Sequence, residues 1–320
     1  MQSETTSDVL LTPKKEKGLK AFLRKCKQQQ TLLLMTIPFV IWVIIFKYLP
    51  IWGWTMAFQD FKPALRFSEQ EWVAFKHFLF LFTDDRFLGV LRNTLAQSII
   101  NLVLGFVTAI GLAILLNELS NIKFKRVVQT ISYLPHFLSW VVAAALVSSV
   151  LSIDGIFNDL LTSLGLIKED ILWLGVGEYF WGILGAAETW KNVGWNAIIY
   201  LAAISMIDQE QYEAAKIDGA SRLQRIRHIT IPGMKSVIVV LLIMNIGYIL
   251  ESGFEPQYLL GNGMNVEYSE NIDVFVIKYG ISMFNFSLAT AAGIFKTIIS
   301  FIFLIAANSF SKKMGQGGLY

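Results

Sequence analysis

The sequence predicts an all-α integral membrane protein of about six transmembrane helices joined by a substantial cytoplasmic loop. Three observations carry this. Hydrophobic residues fill 54% of the 320 positions and charged residues only 16%, where a soluble domain carries roughly 25% charge. The apolar residues fall in long blocks and not at the spacing of a half-buried helix or strand, as expected of segments solvated by lipid. Lys and Arg concentrate in alternate segments between the blocks, as the orientation of membrane helices requires.

A spanning helix needs about 20 mostly apolar residues. Spans are assigned to 31–58, 89–116, 127–151, 179–206, 236–251 and 286–309. The first contains Pro38 and Pro50 and is expected to kink or to turn interfacial beyond Lys47. The basic stretch before it resembles a signal peptide, but the apolar run is long and no small-residue cleavage site follows, so it reads as a retained span. The chain thus divides into an arm (1–30), a permeation domain (31–310) and a short tail (311–320). Cys26 is the single cysteine, so no intrachain disulfide is possible.

Seventeen of the 27 Lys and Arg residues fall on one side of these spans. They are Lys14, Lys15, Lys17, Lys20, Arg24, Lys25 and Lys27 in the arm, Lys123, Lys125 and Arg126 after span two, Lys216, Arg222, Arg225, Arg227 and Lys235 after span four, and Lys312 and Lys313 in the tail. Six lie opposite: Lys62, Arg66, Lys76, Arg86, Lys168 and Lys278. The positive-inside rule then predicts that both termini are cytoplasmic. Trp52, Trp54, Trp173 and Trp181 fall near predicted outer ends, where an aromatic belt belongs.

The loop 208–232 reads DQEQYEAAKIDGASRLQRIRHITIP. Asp208 with Gln211, and Ser221 with Gln224, are spaced as helix caps. Gly219 between them permits a tight reversal, and Pro232 is expected to mark a restart before span five. Tyr212, Ala215, Leu223 and Ile226 alternate with Lys216, Arg222, Arg225 and Arg227, giving two short helices with an apolar and a basic face. A basic amphipathic loop resting on anionic lipid fits the same residues.

The loop also resembles the EAA loop of bacterial ABC import permeases. There, Glu-Ala-Ala is followed after three residues by Gly, and nine more lead to Ile-x-Leu-Pro. Glu213, Ala214, Ala215, Gly219, Ile229 and Pro232 match that spacing, with Ile231 in place of Leu. The resemblance covers nearly the whole chain: FKYLPIWGWTMAFQDF (46–61), RNTL (92–95), YLPHFLSW (133–140), WKNVGWNAIIYLA (190–202) and GFEPQYLL (253–260) are similar to the carbohydrate-uptake branch. More narrowly they resemble oligosaccharide permeases of the maltose-transporter type. This implies a heterodimer with a second, homologous permease, two cytoplasmic ATP-binding subunits, and an extracellular or periplasmic sugar-binding protein. It also implies alternating access, with the EAA loop seated in a groove of the ATPase and moving with it.

The sequence has no GxxxxGK[ST], so ATP and Mg are expected on the partner ATPases and no cofactor on this chain. HExxH and GxSxG are likewise absent, and His77, His136 and His228 lie far apart, so neither catalysis nor a metal site is expected. Membrane lipid is the other partner, and nothing suggests nucleic acid.

Ionisable residues inside a span usually face a cavity or a partner. Glu188, Lys191 and Asn192 fall near the middle of span four, with Trp195 and Asn196 following. Glu188 and Lys191, three residues apart, are spaced to pair. An aromatic ring beside amides and charges suits a sugar, which presents apolar ring faces and a rim of hydroxyls. A structural pair between helices is the plainer reading of the same residues. Span five offers Asn245, Tyr248 and Ser252, with Glu251 and Glu255 toward the outer mouth. Asn101 and Gln129 read as helix-to-helix hydrogen bonders. A rival reading is an ion-coupled secondary transporter using Glu188 and Lys191, which leaves the EAA-like loop without a role.

Overall fold

The computed structural model describes residues 27–251 and 253–313. Most of the basic arm, Cys26, Ser252 and the end of the tail lie outside the described residues. The chain divides into two compact units, one ending at Trp54 and the other beginning at Thr55.

In the first unit, α1 (Gln30–Val43) carries Pro38 within it and passes into a π turn at Ile44–Tyr48 and then a 3-10 stretch, Leu49–Phe58. The expected departure from a straight helix is thus a change of winding. Thr36 Oγ1 donates to the Leu32 carbonyl at 2.8 Å, and the rings of Trp42 and Phe46 lie 5.5 Å apart.

The second unit opens with a hairpin that the apolar pattern did not announce: β1 (Gln59–Asp60) pairs antiparallel with β2 (Glu71–Trp72), Gln59 opposite Trp72. Gln70 ties its loop, accepting from the Lys62 amide at 2.8 Å and donating to the carbonyls of Lys62 and Leu65. Then come α2 (Lys76–Thr83), α3 (Asp85–Glu118), α4 (Ile122–Tyr133), α5 (Trp140–Val150), α6 (Ile156–Ser163), α7 (Phe180–Ser205), α8 (Gln209–Ile217), α9 (Arg222–Arg225) and α10 (Ile231–Gly247). Three short helices follow, α11 (Glu255–Leu260), α12 (Val266–Ser269) and α13 (Ile272–Ile277), before the long α14 (Phe286–Lys313).

Among the described residues, four helical stretches are long and apolar enough to cross a membrane: Gln30–Phe58, Asp85–Glu118, Arg222–Gly247 and Phe286–Lys313. The pair Ile122–Phe137 and Trp140–Val150, bent by 106°, makes a fifth when counted as one broken span. The run expected as span three is therefore broken. Pro135 has no amide to donate, Leu134–Phe137 tightens into a 3-10 turn, Leu138 is extended, and Ser139 accepts from the Val142 amide to start a new helix. Helix α7, with 26 residues, matches the others in length, and its polar residues lower its apolarity. Span five also differs from expectation. Helix winding runs without a break from Arg222 to Gly247, so Pro232 marks no restart. A π turn at Ile226–Thr230 runs into Pro232, and its wider winding accommodates the donor that Pro232 lacks.

Two of the clusters that hold the bundle share α3. Ala57, Leu81, Phe87, Val90, Ile272, Phe275, Leu288, Ala291, Ala292 and Ile294 join α2, α3, α13 and α14. Ala109, Ala113, Ala197, Tyr200, Ala203, Ile204 and Met234 join α3, α7 and α10. Alanines dominate the second, since close backbone approach replaces the hydrophobic drive between helices in lipid. A Cβ on Gly185 would press on Ile100, and the rings of Tyr200 and Phe106 lie 6.2 Å apart. Helices α3 and α7 therefore run in the same direction, and the basic loops after them emerge at the same end.

Candidate functional site

A cavity of about 320 Å³ lies between α3, α7 and α10. Its walls include Glu188, Asn192 and Asn196 of α7, spaced one turn apart, and Asn245 and Tyr248 from the end of α10. Those predicted residues are thus brought together, and Glu251 lies there too. Asn101, expected only to bridge helices, also lines it while accepting from Gln97 Nε2 at 2.9 Å. Sequence reasoning missed its neighbours. Ser98, Asn101, Gly105 and Thr108 recur every three or four residues along α3, a small and polar stripe legible in the spacing. No Lys, Arg or His is among the described lining residues.

Lys191 and Trp195 do not line the cavity. At 100° per residue they fall on the flank of α7 away from Asn196. The expected Glu188–Lys191 pair is not formed. Glu188 Oε2 instead accepts from Asn192 Nδ2 at 3.0 Å. Lys191 is 6% exposed; its Nζ donates to the His136 carbonyl at 2.8 Å and lies 5.6 Å from the centre of the Trp140 ring. Trp195 stacks on His136 with centroids 4.5 Å apart and planes 5° apart. Both residues thus serve the bend of the broken helix. Gly194 sits between them, against the backbone of Ser132.

The loop after α7 forms the two short helices expected. Asp208 caps α8 through the Glu210 amide at 3.0 Å, and not through a box with Gln211. Ser221 and Gln224 do form a reciprocal capping box, with bonds of 2.7 and 3.4 Å. Gly219 between them has φ +77°, and a Cβ there would meet nothing within 4 Å. No neighbour within the chain crowds this glycine; its left-handed backbone is what constrains it. Glu213, Ala214, Gly219 and Pro232 are exposed, Ala215 and Ile229 half-buried. Tyr212 Oη and Thr230 Oγ1, 2.9 Å apart, brace α8 against the start of α10. Around this brace Ile217 is 86% and Leu223 74% exposed, an unusual display of aliphatic side chains beside Arg222 and Arg227.

The RNT of the RNTL stretch works at the other end of α3. Asn93 Nδ2 donates to the Glu267 and Glu270 carbonyls at 2.7 and 3.0 Å, and Thr94 Oγ1 accepts from the Ile272 amide at 3.0 Å. Arg92 lies 5.1 Å from the Tyr268 ring centre. Arg86 grips the buried Glu270 carboxylate with both Nε and Nη2 at 2.9–3.1 Å. These bonds clasp the segment holding α12 and α13 to the bundle. Glu255, expected near the cavity mouth, instead begins α11 and is not among the lining residues.

Comparison with known proteins gives a consistent result. Residues 101–316 match the model of the family described as binding-protein-dependent transport system inner membrane component. The chain is 46% identical over 308 residues to the polygalacturonan/rhamnogalacturonan transport system permease protein YteP of Bacillus subtilis (strain 168), covering 96% of this chain and 95% of that one. It is 39% identical over 305 residues to protein LplB of the same organism, covering 95% of each. Among solved structures, a bacterial ABC transporter involved in the import of the acidic polysaccharide alginate contains a chain that superposes with a TM-score of 0.86 at 36% identity, covering 92% of this chain and 100% of that one. The chain therefore belongs to the inner membrane components of binding-protein-dependent transport systems, as a membrane-embedded permease subunit of an ABC importer that is not itself an enzyme.

Proposed function

We propose that this chain forms one wall of the path by which an oligosaccharide crosses the cytoplasmic membrane, moved by alternating access. The observation that carries this reading is the cavity that gathers Glu188, Asn192, Asn196, Asn101, Asn245 and Tyr248 among apolar helices. Amides and hydroxyls at that density suit the hydroxyl rim of a sugar. Polar groups inside spans are costly and are retained where they face a path. Two of the named relatives carry polygalacturonan/rhamnogalacturonan or alginate in their descriptions, which supports a saccharide of several units. This wall holds two carboxylates and no described cation. A uronic sugar crossing here must find its countercharges on the facing permease.

The partners in this reading are a second homologous permease, two cytoplasmic ATPases carrying ATP and Mg, and an external sugar-binding protein. The turn built from Glu213, Ala214, Ala215, Gly219, Ile229 and Pro232 is the ATPase contact. Its exposed Ile217 and Leu223 suit a protein groove better than water. The test of the path is uptake in membranes carrying the assembled importer. Asn196→Leu with Asn245→Leu is expected to lower sugar uptake at least tenfold while the ATPases remain bound. Wild-type uptake in that double variant would remove the cavity from the path.

Six spans with both termini in the cytoplasm complete the reading. Reporters fused after Lys123 and after Arg225 should both read cytoplasmic, and reporters after Lys168 and after Asn271 external. A cytoplasmic signal at Lys168 would overturn this topology.

A further inference from the structure

We propose that Glu188, Asn192 and His136 form a relay through which a sugar in the cavity sets the bend of the broken helix. The proposal rests on the reading of the cavity as the sugar path. Its geometry begins with Asn192, whose side chain has two partners. Nδ2 donates to Glu188 Oε2 at 3.0 Å, and Oδ1 lies 3.1 Å from His136 Nδ1. A carboxylate oxygen accepts, so the amide must turn its NH2 toward Glu188. Its oxygen then faces His136, and Nδ1 must carry the proton. One carboxylate thereby fixes an amide, and the amide fixes a tautomer.

His136 lies in the 3-10 turn Leu134–Phe137, immediately before extended Leu138, where the chain turns through 106°. Its ring stacks on Trp195 and its carbonyl takes the Lys191 ammonium. That ammonium also faces the ring of Trp140, the first residue beyond the bend. Helix α7 thus grips the bend through Lys191, Asn192 and Trp195. A cation buried to this degree is costly unless its partners stay in place, so Lys191 and Trp195 act as a fixed clamp. Asn192 differs, because it also lines the cavity together with Glu188. A hydroxyl that reaches Glu188 or Asn192 competes for the same atoms that orient His136. His136 itself does not line the cavity; it is a positioning residue.

The test uses the importer reconstituted with its partner permease, ATPases and binding protein. Spin labels at Ile131→Cys and Val142→Cys, both exposed positions flanking the bend, in a Cys26→Ser background, report its angle. The unaltered relay should show a label distance that differs between empty and sugar-loaded binding protein. His136→Ala should abolish that difference and reduce sugar stimulation of ATP hydrolysis at least fivefold. Two milder variants separate relay from packing. His136→Asn places a donor where Nδ1 was and should restore most of the response. His136→Gln extends its amide toward the Nε2 position, leaves Asn192 unpaired and should restore little. Equal responses in the Asn and Gln variants, or a full response in His136→Ala, overturn the relay while the sugar path stands. If even the unaltered importer ignores the sugar, the path reading falls and the relay with it.

Discussion

Gly219→Val is expected to abolish sugar uptake while leaving the protein inserted in the membrane. The backbone at Gly219 has φ +77°. A side chain there presses on the adjacent carbonyl, at a cost of roughly 1–2 kcal/mol, and a β-branched residue does worse. Nothing in the chain itself stands within 4 Å of the added Cβ. The damage therefore falls on the shape of the turn and on whatever surface receives it. Glu213→Lys should fail by a different route. Glu213 is exposed beside Lys216, Arg222 and Arg227, and a lysine in its place makes the turn two charges more positive without straining the backbone. Both variants should leave sugar binding to the external protein intact. The loss should appear as ATP hydrolysis that no longer responds to loaded binding protein, or as ATPase subunits that wash off the membrane. Wild-type transport in both would strip this turn of its coupling role.

The second large effect is expected at Gly194. A Cβ there would lie on the carbonyl of Ser132, with Tyr133 Cδ1 at 2.9 Å. Backbone cannot step aside as a side-chain tip can. Forced volume in a packed site typically costs about 1–3 kcal/mol, and a clash with backbone belongs at the upper end or beyond. Gly194→Ala should lower the melting temperature of the detergent-solubilised complex, and Gly194→Val should prevent its recovery. Gly111→Ala is the matched control. That glycine also lies inside a long helix but has nothing within 4 Å of its Cβ position. Alanine there is expected to be neutral or stabilising by up to about 1 kcal/mol. Equal melting of Gly194→Ala and Gly111→Ala would show that α4 and α7 do not depend on this contact.

The parts of the molecule that obey a single local rule were legible in the sequence. Blocks of apolar residues announced the long helices, and the spacing of Ser221 and Gln224 announced a capping box that is present. The cavity was half legible. Glu188, Asn192, Asn196 and Asn245 stood out because polar side chains are rare in spans, and they do converge. Lys191 stood out for the same reason and Trp195 as an aromatic face for a sugar, but both turn to the other flank. A polar residue in a span announces that it needs a partner, without saying whether the partner is a cavity or a neighbouring carbonyl. Lys191 found its partner in His136 of another helix, 55 residues away in sequence, and no local pattern encodes that. Pro135 and Pro232 make the same point. Each removes one donor, yet one helix breaks through 106° and the other stays continuous across a π turn. The difference lies in what surrounds each: extended Leu138 follows the first and α7 grips that bend, whereas a π turn runs into the second.

The unbroken helix from Arg222 to Gly247 has a mechanical consequence. Its 26 residues make a rod of about 39 Å. One end begins beside the Gly219 turn, and Asn245 near the other end lines the cavity. A tilt of about 10° around its midpoint would carry each end roughly 3 Å in opposite directions for a rod of that length. That is a hydrogen-bond length, enough to make or break a contact to a hydroxyl. With such a lever a push at the turn would reach the cavity wall in one stroke, with no chain of intervening side chains to lose it. The π turn at Ile226–Thr230 would be where such a rod yields first, so its stiffness would set how much of a push arrives.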